Sequence, residues 1–218
     1  MSQFWKNRSN QSFDNPIQYN NLTSNPDEAI AKHYLESQLI QSKLSPYQYN
    51  RILDLGSGNG QWFPLLEPLC NEYHCVDPYI SPIPEIMSNK KVSYYNLDCI
   101  DFSSSLKFDL VFISGLLLYL SDSSLSHLLS HVINYVQPQS TLFMREPIGV
   151  NNRFVLNNHF SSELNAYYSA IYRSYSEFLS IFDTFGFKIV DSGWVHHDGS
   201  IHNKRLETRL SFFKFAMS

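Results

Sequence analysis

The sequence predicts an α/β fold built on a largely parallel sheet, and three observations carry the prediction. Apolar runs at RILDLGS, YHCVDPY, VSYYNLD, FDLVFISG and STLFMREP read as strands, at intervals of roughly 20 to 35 residues, the spacing that parallel crossover units need. Leucines and valines at helical spacing fill the interval before the fifth run. Two more runs, FKIVDSGWV and LETRLSFFKFAM, are joined by a polar loop without a helix, which is most simply an antiparallel pair.

Taken in order, residues 1–25 are rich in Asn, Ser and Gln but carry Phe4, Trp5, Phe13 and Tyr19, so something is expected to receive those rings. Asn25 is placed to cap a helix, with Pro26 at its first position and Asp27 and Glu28 in its first turn. Ile30, Tyr34, Leu35 and Leu39 define its expected buried face, and Ser45-Pro46 its end. After the first strand come Gly56, Gly58 and Gly60, then a helix expected from about Gln61, with Pro64 tolerated in its first turn. Between the fourth and fifth strands, Leu125, Leu128, Leu129, Val132, Ile133 and Val136 predict a helix capped by Ser121 or Asp122 and stopped by Pro138. Residues 148–173 are polar but tyrosine-rich, with helical spacing in their second half, and are expected to form a helical, lid-like insertion. Ser174 and Glu177 then make a capping box ahead of Phe178, Ile181, Phe182 and Phe185, and Gly186 sits where a helix end needs positive φ.

With 218 residues, 43% of them hydrophobic, the chain suffices for one domain, 1–218, with residues 1–45 as an N-terminal arm and helix. A net charge of -4 offers no general attraction to nucleic acid, and the short pairs Lys90-Lys91 and Lys204-Arg205 supply no basic patch. Cys70, Cys75 and Cys99 form no C-x-x-C pair and read as buried small residues in a reducing compartment. The first residues are too polar for a secretory signal, and FDLVFISGLLLYL is shorter than the ~20 residues of a membrane span, so a cytoplasmic location is expected. His127 and His131 share a helix face but lack the glutamate of a zinc-protease motif, so no metal is expected. His196, His197 and His202 read as part of an exposed loop.

The glycine-rich loop is the most informative stretch. A parallel strand delivers its loop to the carboxyl edge of the sheet, where open α/β folds bind ligands, and glycines let the backbone approach a ligand closely. G-S-G-N-G is neither the dinucleotide nor the phosphate-loop pattern. Asp77, however, ends the second strand 21 residues after Gly56, where an acid accepts the ribose hydroxyls of an adenosine. Asp98 ends the third strand, near an adenine edge.

ILDLGSGNG, CVDPY, NLDCIDF and FDLVFISGLLLYL, in this order, resemble the motifs of class I S-adenosylmethionine-dependent methyltransferases. The resemblance covers about residues 27 to 195. It implies a Rossmann-like seven-stranded sheet, mostly parallel, in the order 3214576, with one antiparallel strand and helices on both faces. It also implies S-adenosylmethionine as cofactor. By the resemblance, Asp54 and the backbone of Gly56, Ser57, Gly58, Asn59 and Gly60 hold its methionine part, and Asp77 binds ribose. Asp98 and Cys99 flank adenine, and Ser114 and Gly115 lie under the sulfonium. Trp62 is expected either on the cofactor or in the core, and Trp5 and Tyr19 are expected to cover the cofactor as an N-terminal arm does in similar enzymes.

Methyl transfer needs the acceptor aligned with the C–S bond, and a hydroxyl acceptor also benefits from a base. Three catalytic candidates stand out. Glu146 ends the fifth strand and is read either as a base or as a structural carboxylate paired with Arg145; His159 lies in the insertion; Tyr119 lies one helical turn beyond Gly115. Arg145, Arg153, Arg173, Tyr168 and Tyr172 gather basic and aromatic groups for binding substrate. These readings converge on methylation, most simply at oxygen, of a small molecule or glycan. The alternatives are a protein terminal-amine N-methyltransferase, which an acidic groove would favour, and a cofactor-fold scaffold without turnover. The oligomeric state is left open.

Overall fold

In the computed structural model, the described residues are 5–6, 25–79, 91–161 and 166–217. Helix α1 (Pro26–Leu44) precedes β1 (Tyr49–Leu55). One helical turn, α2 (Phe63–Leu66), extended by a 3₁₀ turn at Glu67–Leu69, leads to β2 (Cys70–Val76), followed by β3 (Lys91–Tyr95) and β4 (Leu110–Ser114). A 3₁₀ turn at Leu117–Tyr119, α3 (Asp122–Val132) and β5 (Thr141–Gly149) come next. The chain then forms β6 (Phe154–Ser161), β7 (Ala166–Tyr172), α4 (Tyr175–Thr184), β8 (Phe187–Trp194) and β9 (Thr208–Met217).

Seven strands make the main sheet in the order β3-β2-β1-β4-β5-β9-β8. The four pairings from β3 through β5 are parallel, and β9 runs antiparallel to both β5 and β8. With β6 and β7 set aside as an insertion, this is the order the family resemblance implied.

Alternation along the strands builds a core on each face. Leu53, Leu55, Val111 and Ile113 face α3 and α4, where Leu125, Leu129, Phe178 and Phe182 are fully buried. Ile52, Leu110, Phe112 and Phe143 face Ile40 and Leu44 of α1, with Trp62 and Phe63 filling the gap between them. Helix ends follow local chemistry. Asn25 accepts from the amides of Asp27 and Glu28; Ser121 caps α3; Ser174 and Glu177 form the reciprocal capping box of α4.

Three expectations change. α1 does not bury Ile30, Tyr34 and Leu35, which are 43%, 62% and 49% exposed; its packed face is Ala29, Glu36, Ile40 and Leu44. A buried carboxylate on that face breaks the apolar periodicity from which a helix face is read. The crossover after the glycine loop is one helical turn, not a full helix. The insertion is not helical: β6 and β7 form an antiparallel hairpin with an irregularity between Leu156 and His159. Its tyrosines and β-branched residues suit a pleated surface, and Leu156, Ala170 and Tyr172 pack on Leu118 beyond β4. Tyr19 lies outside the described residues.

Candidate active site

The ends of β1, β2, β3 and β4 emerge at one edge of the sheet because these strands are mutually parallel. The loop after β1 is tied to the end of β2: the amides of Gly56 and Ser57 donate to the Val76 carbonyl at 2.8 and 3.2 Å, and that of Gly58 to Asp77 Oδ2 at 3.0 Å. Asp77 Oδ1 accepts from the Tyr79 amide at 2.8 Å, and burial raises this carboxyl above its ordinary range. Gly56 has φ +75°, and a β-carbon there would lie 3.1 Å from Leu116, so the β1 and β4 loops close on each other only over a glycine.

These loops border a cavity of about 490 Å³, within the ~300–1,000 Å³ of small-molecule sites. Its sheet-edge wall includes Gly56, Gly58, Asp77, Asp98, Cys99 and Gly115. Gly115, at φ +66°, has nothing within 4 Å of where a β-carbon would stand, so its bare face opens into this space. Asp98 Oδ1 accepts from the Ile100 amide at 3.2 Å, which orients the carboxylate at the end of β3. Ser114 also lines the wall; its hydroxyl accepts from Trp62 Nε1 at 3.0 Å and is 3.3 Å from Arg145.

Other residues read as ligand contacts sit beneath the wall. Asp54 is buried, accepts the Tyr73 hydroxyl at 2.6 Å, and burial pushes its carboxyl to about 7. Ser57 and Gly60 are buried under the loop, Asn59 is half-buried, and none of the three lines the cavity. Trp62 is a core residue, edge-on to Phe112 and 4.5 Å from the His33 ring. Trp5 does line the cavity, edge-on to Tyr119 at 5.6 Å.

Glu146 neither pairs with Arg145 nor reaches the cavity. It is fully buried, and its Oε1 accepts the amides of Leu116 and Leu117 at 2.8 and 3.0 Å. Burial pushes this carboxyl up to about 7 against those two donors. Arg173, also fully buried, donates to the carbonyls of Leu117 and Leu120 at 2.9 and 2.8 Å and to Asp122. The turn that carries Gly115 and Tyr119 is thus gripped through its amides by a carboxylate and through its carbonyls by a guanidinium. Arg153 bonds outward to Asp122 and Glu177, and His159 is exposed beside the Tyr168 ring. Of the catalytic and substrate candidates, the structure brings Tyr119, Arg145, Tyr168 and Tyr172 to the cavity and leaves Glu146, His159, Arg153 and Arg173 away from it.

The methyltransferase domain family matches residues 22–192. The chain belongs to this family. Among solved structures it is similar to 1,6-didemethyltoxoflavin N1-methyltransferase of Burkholderia thailandensis, bound to 1,6-didemethyltoxoflavin and S-adenosylhomocysteine, at 15% identity over 86% of this chain and 79% of that chain (TM-score 0.66). It is similar to the N-methyltransferase NodS of Bradyrhizobium japonicum WM9 with S-adenosylhomocysteine, at 16% identity over 99% and 97% of the two chains (TM-score 0.62). An S-adenosylmethionine-dependent methyltransferase of Leishmania major matches at 14% identity over 98% and 82% (TM-score 0.69). At these identities the likeness is one of fold. No curated protein gives a significant match.

The methyltransferase domain has a second cavity wall that sequence reading did not find. Glu28 and Lys32 come from α1, His196, His202, Lys204 and Arg205 from the β8–β9 connection, and Arg209 from β9. Behind them, buried Glu36 accepts from Arg145 Nη2 at 2.6 Å and meets His196 Nε2 at 3.2 Å, with Lys32 at 3.9 Å. Burial alone would raise Glu36, but the charge of Arg145, the His196 hydrogen bond and Lys32 outweigh it and hold it at about 2. His196 is therefore buried and partnered, not exposed. His202 also lines the cavity, with a buried Nδ1 that has no hydrogen-bond partner among the described residues. The only signal in sequence was three histidines in one connection. No group of metal-binding side chains occurs among the described residues, and none of the described helices is long and apolar enough to cross a membrane.

Proposed function

We propose that this protein is an S-adenosylmethionine-dependent methyltransferase that modifies a small molecule held between the sheet edge and the β6–β7 hairpin. The observation that carries the reading is Asp77: its carboxylate stands on the cavity wall at the end of β2, oriented by the Gly58 and Tyr79 amides. The cavity fits an adenosyl ligand in chemistry as well as size. Asp77 is positioned to accept ribose hydroxyls, Asp98 and Cys99 to border adenine, and the bare backbone of Gly56, Gly58 and Gly115 to let the methionine part approach. Two of the structural neighbours hold S-adenosylhomocysteine, one of them beside a small-molecule acceptor.

S-adenosylmethionine supplies a methyl group already activated on a cationic sulfur, so the protein's task is to orient the acceptor and exclude water, worth about 7–11 kcal/mol for a well-aligned pair. Transfer to oxygen finds its support in His196. Ionised Glu36 is only an acceptor, so the His196 Nε2 that faces it at 3.2 Å is the donor and the carboxylate fixes the ring's orientation. A histidine held this way on the cavity wall is the ring group best placed to serve as a base toward a hydroxyl acceptor. The basic second wall disfavours a cationic terminal amine of a protein as substrate.

Calorimetry with S-adenosylhomocysteine tests the reading. Binding by the native protein, weakened at least tenfold by Asp77→Ala, is expected. A protein that folds but binds neither S-adenosylmethionine nor S-adenosylhomocysteine would be a scaffold instead.

A further inference from the structure

Resting on the methyltransferase reading, we infer that the acceptor substrate carries an anionic group, a carboxylate or a phosphate, recognised by Arg205 at the hairpin end of the cavity. Most cations of the second wall are already matched. Arg145 is paired with Glu36 at 2.6 Å, Lys204 with Glu28 at 3.2 Å, and Arg209 with Asp198. Arg205 differs: among the described residues its guanidinium has one hydrogen-bond partner, the neutral Tyr168 hydroxyl at 3.2 Å, and no carboxylate. It is half-buried on the cavity wall, where a guanidinium is partly stripped of water. Lys32 adds a second cation short of a counter-ion, since its nearest carboxylate, Glu36 at 3.9 Å, is already engaged by Arg145. A chain of net charge -4 thus turns a local excess of positive charge into its own cavity.

The arrangement matches an oxyanion in particular. A guanidinium presents a planar fork of donors that fits a carboxylate or phosphate edge, and it stays charged at any working pH. Tyr168 and Tyr172 share the wall with Arg205, so a flat or ring-shaped body attached to the anion has aromatic surface to lie against. Position separates this group from the methionine carboxylate of the cofactor. The glycine loop follows β1, whereas Arg205 lies just before β9, three strands along the sheet, or roughly 14 Å at the usual strand spacing.

The test uses the full chain saturated with S-adenosylhomocysteine, titrated separately with inorganic phosphate and with acetate, with binding followed by NMR. Saturable binding of either anion, weakened at least tenfold by Arg205→Gln and partly restored by Arg205→Lys, is expected. The better binder identifies the natural group. S-adenosylhomocysteine binding by each variant shows that it is folded and that the methyltransferase reading stands independently of this result. The inference is overturned if the saturated protein binds neither anion, if Arg205→Gln binds them as the native chain does, or if the anions compete with S-adenosylhomocysteine, which would make the cations a cofactor-carboxylate site.

Discussion

Glu36 ties three distant elements together, and its removal gives a prediction whose size follows from the structure. The carboxylate is 1% exposed and meets Arg145, His196 and Lys32. Holding it at about 2 rather than its ordinary 4.5 corresponds to about 3 kcal/mol of folding stability at neutral pH. Glu36→Gln keeps the shape and leaves Arg145 without its buried counter-ion, a loss for which such pairs independently suggest roughly 3–5 kcal/mol. Urea unfolding at pH 7 should therefore show a midpoint lowered by roughly 1–2 M.

The pH dependence is the sharper test. A depressed carboxyl contributes stability that is complete above its unfolded value and is lost as pH falls through the folded one. The gap between native protein and Glu36→Gln should thus be full above pH ~5 and shrink to about half near pH 3. Asp54 and Glu146, both pushed up to about 7 by burial, act in the opposite sense but are common to both proteins and cancel in the difference. A gap that stays constant from pH 7 to pH 3 would refute the claim that the ionised carboxylate, and not side-chain volume, is what stabilises.

Other substitutions separate positioning from binding. Glu146→Ala strands two buried amides and should cost about 2–5 kcal/mol, whereas Glu146→Gln keeps an acceptor for them. Because Glu146 titrates near 7 when folded, its contribution is present below pH ~4.5 and declines as pH rises through 7; Glu146→Gln should flatten that decline, and an unchanged slope between pH 5 and 8 would contradict it. Gly115→Ala should lose only about 1–2 kcal/mol of stability to positive-φ strain, yet bind S-adenosylhomocysteine at least tenfold more weakly, because its methyl group projects into the cavity. Once a substrate is in hand, His196→Asn should lower kcat roughly 10²–10⁴-fold with S-adenosylhomocysteine affinity nearly unchanged.

The half of the site nearest the glycine loop was legible because short-range rules govern it. A buried strand ending in glycines, and an acid one strand later, appear in the chain within 25 residues, and parallel pairing does the rest. The capping box of α4 was legible for the same reason. The second wall was not: Glu36 meets Arg145 across 109 positions and His196 across 160, and no periodicity links residues at those separations. The hairpin misled for a different reason. Tyr168 and Tyr172, four apart, fit one face of either a helix or a strand, and only Leu118, reached through the fold, decides which face is buried.

The sequence offers Glu146 as a base or a structural carboxylate and Arg173 as a substrate contact, and the structure makes both of them structural. It also gives the physical reason why these residue types appear beside a ligand cavity without touching a ligand. A parallel strand that ends at a ligand cavity must be followed by irregular backbone, whose amides and carbonyls have lost their ladder partners and lie too deep for water. Glu146 Oε1 accepts two of the amides and the Arg173 guanidinium, a donor only, takes two of the carbonyls, so the pair serves both sides of the Leu116–Leu120 turn. Positioning and catalysis therefore draw on the same side chains at the same strand ends. Access to the cavity separates them here: Glu146 and Arg173 are 0% exposed and away from its wall, while half-buried Arg145 and buried His196 line it.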